Sequence, residues 1–471
     1  MPADSFPAVD DNSIQSIRLS QIDALGFDLD HTLIRYKIHN LNVLVHSVIV
    51  NFLTQKKHYS NVIRTLQYNS ELVSRGLVYH TSTGNFLKLA ADNHIVRAMH
   101  GTDLMTTTDI QSTYGKDGIL QNYDPLDNTH SVYVTLFTYF ELASIGIIGT
   151  LIDLVDQGCP YESDEMNQQF REQWLSKSTD ETKTEDGKNR YSQLLLDVLA
   201  SFEDQWLDYT KGDYFTAIRS NPGHYCYKRP DIVQWLKTLR QKQPQLTLFT
   251  ITNSRYDYSK MLLDYSFGPE WESLFDIFVA EGTKPQYFIG EKLHYSIDDS
   301  TLRAGQPVEK LELNGRYMYG NVKQMHEFLG SLHHKANPTV LYFGDHLKGD
   351  VAFPKRSGWL TGSVIEELEI ETPHGVKQHT PSQTGEYTTL HRSSVWGDVL
   401  SHQSDDSESS TPVPTAIHQL IVDNSVICVA CLSHLHVEDE LQFQYSYGQP
   451  HCFFTSTHRG LPLPTSQKVS G

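Results

Sequence analysis

The stretch Ala24-Leu25-Gly26-Phe27-Asp28-Leu29-Asp30-His31-Thr32-Leu33 decides how this chain is read. An apolar run ends in two aspartates one residue apart, followed by a threonine. Two carboxylates at the carboxyl end of a buried strand are costly to desolvate without a cation or a partner. Phosphoryl transfer supplies the physical reason to place them there. One carboxylate attacks phosphorus, its neighbour handles a proton, and a bound Mg²⁺ makes the crowded negative charge tolerable. Asp-x-Asp alone also ends ordinary acidic turns, so its meaning depends on what lies downstream.

Three downstream segments repeat the pattern of an apolar strand that delivers a polar group. Leu246–Thr252 ends in a hydroxyl and turns at Asn253-Ser254; a hydroxyl with turn N–H groups can grip a phosphate oxygen without adding charge. Alone, it reads as a strand and an ordinary turn. Ala280-Glu281-Gly282-Thr283-Lys284-Pro285 places a lysine just past another core strand, able to reach a phosphate and offset the carboxylates. Val340-Leu341-Tyr342-Phe343-Gly344-Asp345 runs into Gly-Asp, with Asp350 five positions later. Gly344 allows the sharp turn that presents Asp345 to a metal, and Asp350, one helical turn on, would orient a metal-bound water or the lysine.

These segments belong to an alternating pattern. Helical spacing over Pro230–Gln241 starts with proline. Strand Leu246–Thr252, helix Tyr256–Phe267, strand Leu274–Ala280, helix Val322–Leu332, strand Val340–Gly344, short helix Val351–Ser357 and strand Trp359–Val364 follow. Strands alternating with helices predict a parallel sheet covered on both faces. The core is thus expected in residues 1–42 and 221–400. Residues 43–220 form an insertion after the first strand, where open α/β sheets bind ligands, and so are placed to act as a cap. Within it the pattern predicts a hairpin over Gly76–Met99, a long helix over His130–Val155 and a flexible polar loop over Ser176–Arg190. Residues 401–415 read as a disordered low-complexity linker. Residues 416–471 read as a C-terminal extension with strands at Leu420–Val422 and Ser425–Leu432.

Composition limits the function classes. The 471 residues carry 38 Lys and Arg against 57 Asp and Glu, a net charge of −19. That balance argues against nucleic acid as a partner, since a phosphate backbone needs a basic face. A small phosphorylated substrate needs only one cation and a lysine or two. The five cysteines are too few for a disulfide framework in so long a chain. Neither a signal peptide nor a membrane span is legible, so the expectation is a soluble, cytoplasmic protein. Cys428 and Cys431, with His434 and His436 nearby, look like half a zinc site, but no second cysteine pair stands at the needed spacing, and core cysteines are the better reading.

Asp-x-Asp-x-Thr, strand-Thr, strand-Lys and strand-Gly-Asp-x4-Asp, in that order, resemble the haloacid dehalogenase superfamily of phosphotransferases. Its phosphatases and mutases carry the second aspartate. Gly26–Leu33 with Arg35-Tyr36, Gly84–Leu89 with His100-Gly101, Thr252-Asn253-Ser254, Lys284-Pro285 and Tyr342–Asp345 are further similar to the cytosolic purine 5′-nucleotidase family. His31 stands where those enzymes typically carry tyrosine, which separates nucleotide specificity from the rest of the likeness.

The resemblance implies a haloacid-dehalogenase-like α/β fold, a Rossmannoid parallel sheet with a large mixed α/β cap after its first strand. It implies Asp28 as a nucleophile forming an aspartyl-phosphate and Asp30 as proton donor and then base. Thr252, Asn253 and Lys284 would hold the phosphoryl group. Mg²⁺ would be held by Asp28, the Asp30 backbone carbonyl and Asp345, with Asp350 behind. The implied activity is Mg²⁺-dependent hydrolysis of phosphomonoesters, nucleoside monophosphates among them, and a homo-oligomer is compatible with it. The alternative is a phosphate- or nucleotide-binding scaffold that keeps the fold while acting through partner contacts.

Overall fold

A computed structural model describes residues 16–17, 21–127, 132–175, 189–207, 210–369, 371, 393–403, 413–435, 443–444, 453–456 and 459–460. Their described parts divide into two compact units. Met1–Lys37, Pro222–Tyr387 and Leu420–Gly471 make the first; Ile38–Asn221 and Thr388–Gln419 make the second.

The first unit is mixed α/β, built on a sheet of eleven strands among the described residues. In chain order they are β1 (Ala24–Phe27), β2 (Thr247–Ile251), β3 (Ile277–Ala280), β4 (His294–Asp298), β5 (Arg303–Pro307), β6 (Gly315–Tyr319), β7 (Val340–Gly344), β8 (Leu360–Val364), β9 (Ile427–Val429), β10 (Phe453–Ser456) and β11 (Arg459–Gly460). Across the sheet they run β5-β4-β6-β3-β2-β1-β7-β8-β9-β10-β11. From β6 to β10 every neighbouring pair is parallel. Every residue of β1, β2, β3, β7 and β8 is buried, the near-continuous apolar signature of strands covered on both faces.

Register matters more than strand count. Phe27 stands level with Thr250 on one side and Phe343 on the other. The ladder continues one step further through Asp28 N–H to the Phe343 carbonyl at 2.8 Å. Because these strands run the same way, the residues just past their ends emerge at one edge of the sheet. Gly26 makes the close spacing possible: a Cβ there would meet Phe249 at 2.3 Å and Tyr342 at 2.5 Å.

Helix Pro230–Lys242 buries Ile232, Trp235, Leu236 and Leu239, the spacing read from sequence. Helices Tyr256–Ser266 and Val322–His333 follow β2 and precede β7, the latter capped by Asn321 accepting from Gln324 N–H. The expected helix Val351–Ser357 starts earlier, as a wide helical turn over Leu347–Ala352 that runs into Phe353–Arg356. Asp350 is therefore inside it.

One expectation changes in this unit, and one hairpin was not foreseen. The antiparallel hairpin β4–β5 and its pairing with β6 were not legible, because neither strand carries an apolar run. Leu420–Val422 is helical, within Ala416–Asn424; Ile417, Leu420 and Ile421 are buried at helical spacing. The tail nevertheless contributes β9, alongside β8.

The second unit contains a five-stranded antiparallel sheet in the order Asp103–Leu104, Ile95–His100, Asn85–Leu89, Val78–His80, Tyr133–Thr135. It includes the hairpin expected over Gly76–Met99. The long helix expected over His130–Val155 is instead strand Tyr133–Thr135 and helices Tyr139–Leu142 and Ile145–Asp156. Thr138 and Glu141 form a capping box, which starts a new helix and leaves the preceding residues to pair with Val78–His80. Lys88 Nζ, buried, donates to the Trp396 carbonyl at 2.6 Å, tying the later segment to this unit.

Of the polar tract Ser176–Arg190, residues 176–188 lie outside the described residues, as do 404–412 of the expected linker. Ser401–His402 and Val413–Pro414 pair antiparallel on either side of the latter. No described helix is long and apolar enough to cross a membrane.

Candidate active site

The parallel register collects four polar groups from three strand ends. Asp28 follows β1, Lys284 follows β3 by four residues, Asp345 follows β7, and Asp350 sits in the helical turn after it. Lys284 Nζ lies 2.6 Å from Asp28 Oδ1 and 2.5 Å from Asp350 Oδ1, with all three side chains buried. The same ammonium donates to the Ile251 carbonyl at 2.9 Å and meets the Tyr342 hydroxyl at 3.0 Å. Carboxylate oxygens of Asp28, Asp345 and Asp350 lie within 4.8 Å of one another, a group able to hold a metal ion.

The backbone is shaped for this. Gly344 faces Asp350, where a Cβ would sit 2.2 Å from the Asp350 Cβ. Asp350 Oδ2 accepts from His346 N–H at 3.2 Å, which fixes its carboxylate. Ahead of Lys284, Glu281 and Thr283 adopt left-handed φ values of 49° and 53°, uncommon for residues with a side chain. The Asn253 amide holds the lysine in place, accepting from Lys284 N–H at 2.6 Å and donating to its carbonyl at 3.1 Å.

Asp30 stands beside this group. Its Oδ1 accepts from the Tyr36 hydroxyl and its Oδ2 from the Ser254 hydroxyl, each at 2.6 Å. Thr252 is fully buried, and its Oγ1 accepts from Ser254 N–H at 3.0 Å. Thus Asp28, Lys284, Asp345 and Asp350 come together directly, and Asp30 lies near enough to act electrostatically on Asp28. The side chains of Thr252 and Asn253 are engaged by backbone.

Electrostatics follow from one ammonium among several carboxylates. Burial pushes the Asp28 carboxyl well above the usual carboxylate range; Lys284 opposes this, and Asp350, Asp345 and Asp30 add to it. Burial disfavours the Lys284 charge too, yet Asp28 and Asp350 keep it protonated, with its pKa well above the ordinary lysine value. The cluster remains short of positive charge. Its donors are all carboxylate oxygens, which suit a hard divalent cation such as Mg²⁺.

Tyr342, Tyr36 and Ser254 were not read from sequence as parts of the site. Tyr342 is one more aromatic in a buried strand, and its contact with Lys284 exists only once β2 and β7 flank β1. Ser254 and Tyr36 stood in motifs without an assigned role. Behind the loop, Glu366 lies 3.6 Å from Arg35 and 3.7 Å from His31. Burial pulls the His31 imidazole down, but Glu366, Asp345 and Asp30 carry it above its ordinary value. Cys428 and Cys431 are buried in and beside β9, and Arg229 donates to Cys431 Sγ at 2.9 Å.

The sequence model of the 5′ nucleotidase family matches residues 13–424. The chain is 27% identical over 380 residues to a human protein named 5′-nucleotidase domain-containing protein 1, covering 79% of this chain and 77% of that one. The bovine protein of the same name is 26% identical over 78% of this chain and 77% of its own length. Human 5′-nucleotidase domain-containing protein 2 is 25% identical over 75% of this chain and 62% of its own.

Proposed function

The chain belongs to the 5′ nucleotidase family, and from that footing we propose that it is a Mg²⁺-dependent phosphomonoesterase acting on nucleoside 5′-monophosphates through an aspartyl-phosphate at Asp28. The observation that carries this reading is the Lys284 ammonium between Asp28 and Asp350, with Asp345 beside them, at the ends of parallel strands. The names of the relatives support the nucleotide class of substrate. On this reading the fold is of the haloacid-dehalogenase type, with residues 43–220 as its cap.

A carboxylate oxygen of Asp28 attacks phosphorus, the bond to the leaving oxygen breaks, and Asp30 delivers a proton to that oxygen. Asp30, now a carboxylate, takes a proton from the water that attacks the phosphoryl-aspartate. Inorganic phosphate leaves and Asp28 is regenerated. Lys284, with the Asn253 N–H at the turn after β2, holds the phosphoryl oxygens; the Thr252 N–H is donated to the Val279 carbonyl at 2.9 Å. Asp28, Asp345 and the Asp30 carbonyl, backed by Asp350, would hold Mg²⁺, whose chemistry is to neutralise charge on those oxygens. The fit rests on three carboxylates, Asp28, Asp345 and Asp350, within 4.8 Å of one another, of which Asp28 and Asp350 share one lysine.

The test is phosphate release from a panel of nucleoside 5′-monophosphates with Mg²⁺, for wild type and Asp28→Asn. Wild-type turnover that the variant lacks supports the reading. A wild type no faster than Asp28→Asn on every substrate overturns it.

A further inference from the structure

We propose that Tyr36, with Ser254, is a positioning residue for proton transfer by Asp30, an inference that rests on the phosphatase reading. Asp30 receives one hydroxyl on each oxygen, Tyr36 on Oδ1 and Ser254 on Oδ2, both at 2.6 Å. That is the short end of the O–H···O range, as expected for hydroxyls donating to a carboxylate. A carboxylate fastened at both oxygens keeps one orientation.

Hydroxyls are suited to this task in a way that lysine or arginine is not. Asp30 must alternate between acid and carboxylate within one turnover. A fixed cation would favour only the charged form. A hydroxyl donates to the carboxylate and can accept from the acid, so it holds either form in place.

Tyr36 is itself immobilised. It is 2% exposed and forms an antiparallel bridge with Cys226. The backbone is pinned on both sides: Lys37 N–H donates to the Tyr225 carbonyl at 2.7 Å and Tyr227 N–H to the Arg35 carbonyl at 2.9 Å. Its ring packs against His31, centroids 4.8 Å apart. His31 takes a left-handed φ of 58°, turning the chain so that Asp30 and Ile34 bridge and Tyr36 comes back over Asp30. Ser254 is anchored from the other side, its carbonyl accepting from Glu281 N–H at 3.0 Å. Two independent strand connections thus converge on one carboxylate.

Leaving-group dependence tests this. Alkoxide leaving groups, as in nucleoside monophosphates, need a proton in the transition state. 4-Nitrophenolate is a good leaving group and needs little help. We therefore compare kcat/KM, which reports the step up to phosphorylation of Asp28, for 4-nitrophenyl phosphate and for the fastest of adenosine, guanosine, cytidine and uridine 5′-monophosphates. Wild type, Tyr36→Phe, Ser254→Ala and Asp30→Asn are assayed with Mg²⁺. The expected result is a loss on the order of tenfold to a hundredfold on the nucleotide for Tyr36→Phe, with under about threefold on the nitrophenyl ester. Ser254→Ala shows the same selectivity, and Asp30→Asn exceeds both. Equal losses on the two esters, or none, overturn the inference while leaving the phosphatase reading intact. Should Tyr36→Phe fail to fold, Ser254→Ala decides alone. A wild type inactive on every ester overturns both.

Discussion

Lys284 Nζ lies 2.6 Å from Asp28 Oδ1 with both side chains out of solvent, so the charge of each depends on the other. Asp350 competes for the same ammonium at 2.5 Å. Replacing Lys284 by Met strands buried carboxylates without their cation. The expected cost in EDTA is about 3–5 kcal/mol of unfolding free energy, the range for removing one partner of a buried pair. Urea titrations of wild type and Lys284→Met, with and without Mg²⁺, check this. Mg²⁺ recovers part of the loss; identical stability in EDTA would show that the pair is not formed.

Ligand linkage tests the cation site separately from chemistry. A site that binds only the folded chain stabilises it by about 2.7 kcal/mol when the ligand is at a hundred times its Kd. Mg²⁺ therefore raises the wild-type melting temperature, and Asp345→Asn removes that rise. An equal rise in both proteins would place the cation elsewhere. Chelation stops phosphate release in the wild type.

Gly344→Ala tests the turn that presents Asp345. The added methyl would sit 2.2 Å from the Asp350 Cβ, so the helical turn must move. Overpacking of this kind costs about 1–3 kcal/mol. The variant is expected to fold, with lower stability in urea and with the Mg²⁺-induced melting shift lost. Retention of a full shift would mean that the turn tolerates a side chain.

His294 provides a pH prediction away from the site. Burial lowers its pKa to about 4; its Nδ1 meets Gln324 Oε1 at 2.6 Å and its Nε2 the Tyr287 hydroxyl at 2.9 Å. The native imidazole stays neutral while the unfolded one protonates near its ordinary value of 6.5. The unfolded chain thus binds the extra proton as pH falls from about 6.5 toward 4, and stability is lost across that window. Between pH 7 and pH 5 the loss from this group is about 2 kcal/mol. Urea titrations at both pH values should show a shallower dependence for His294→Gln; equal dependence would mean the wild-type imidazole is not kept neutral.

Much of this was legible in the sequence because buried parallel strands leave long apolar runs, and each run here ends in a residue with chemistry. β1, β2, β3 and β7 are visible that way, and with them Asp28, Lys284 and Asp345. The hairpin β4–β5 was invisible because neither His294–Asp298 nor Arg303–Pro307 carries an apolar run. Tyr342 and Tyr36 were hidden for a different reason. Their roles exist only between strands distant in sequence, and a tyrosine that fastens a lysine or a carboxylate has the same letter as one that fills a core. Leu420–Val422 shows the remaining ambiguity, since a short apolar run fits a strand or a buried helix face.

The covalent aspartyl-phosphate can be caught directly. Wild type is mixed with its fastest nucleoside monophosphate and Mg²⁺, quenched in acid within one turnover, and the peptide holding Asp28 is examined by mass spectrometry. A phosphoryl group is expected on Asp28 that decays as inorganic phosphate appears, and none in Asp28→Asn. Rapid phosphate release with no phosphoryl group on Asp28 at any time, or undiminished release by Asp28→Asn, would contradict that expectation.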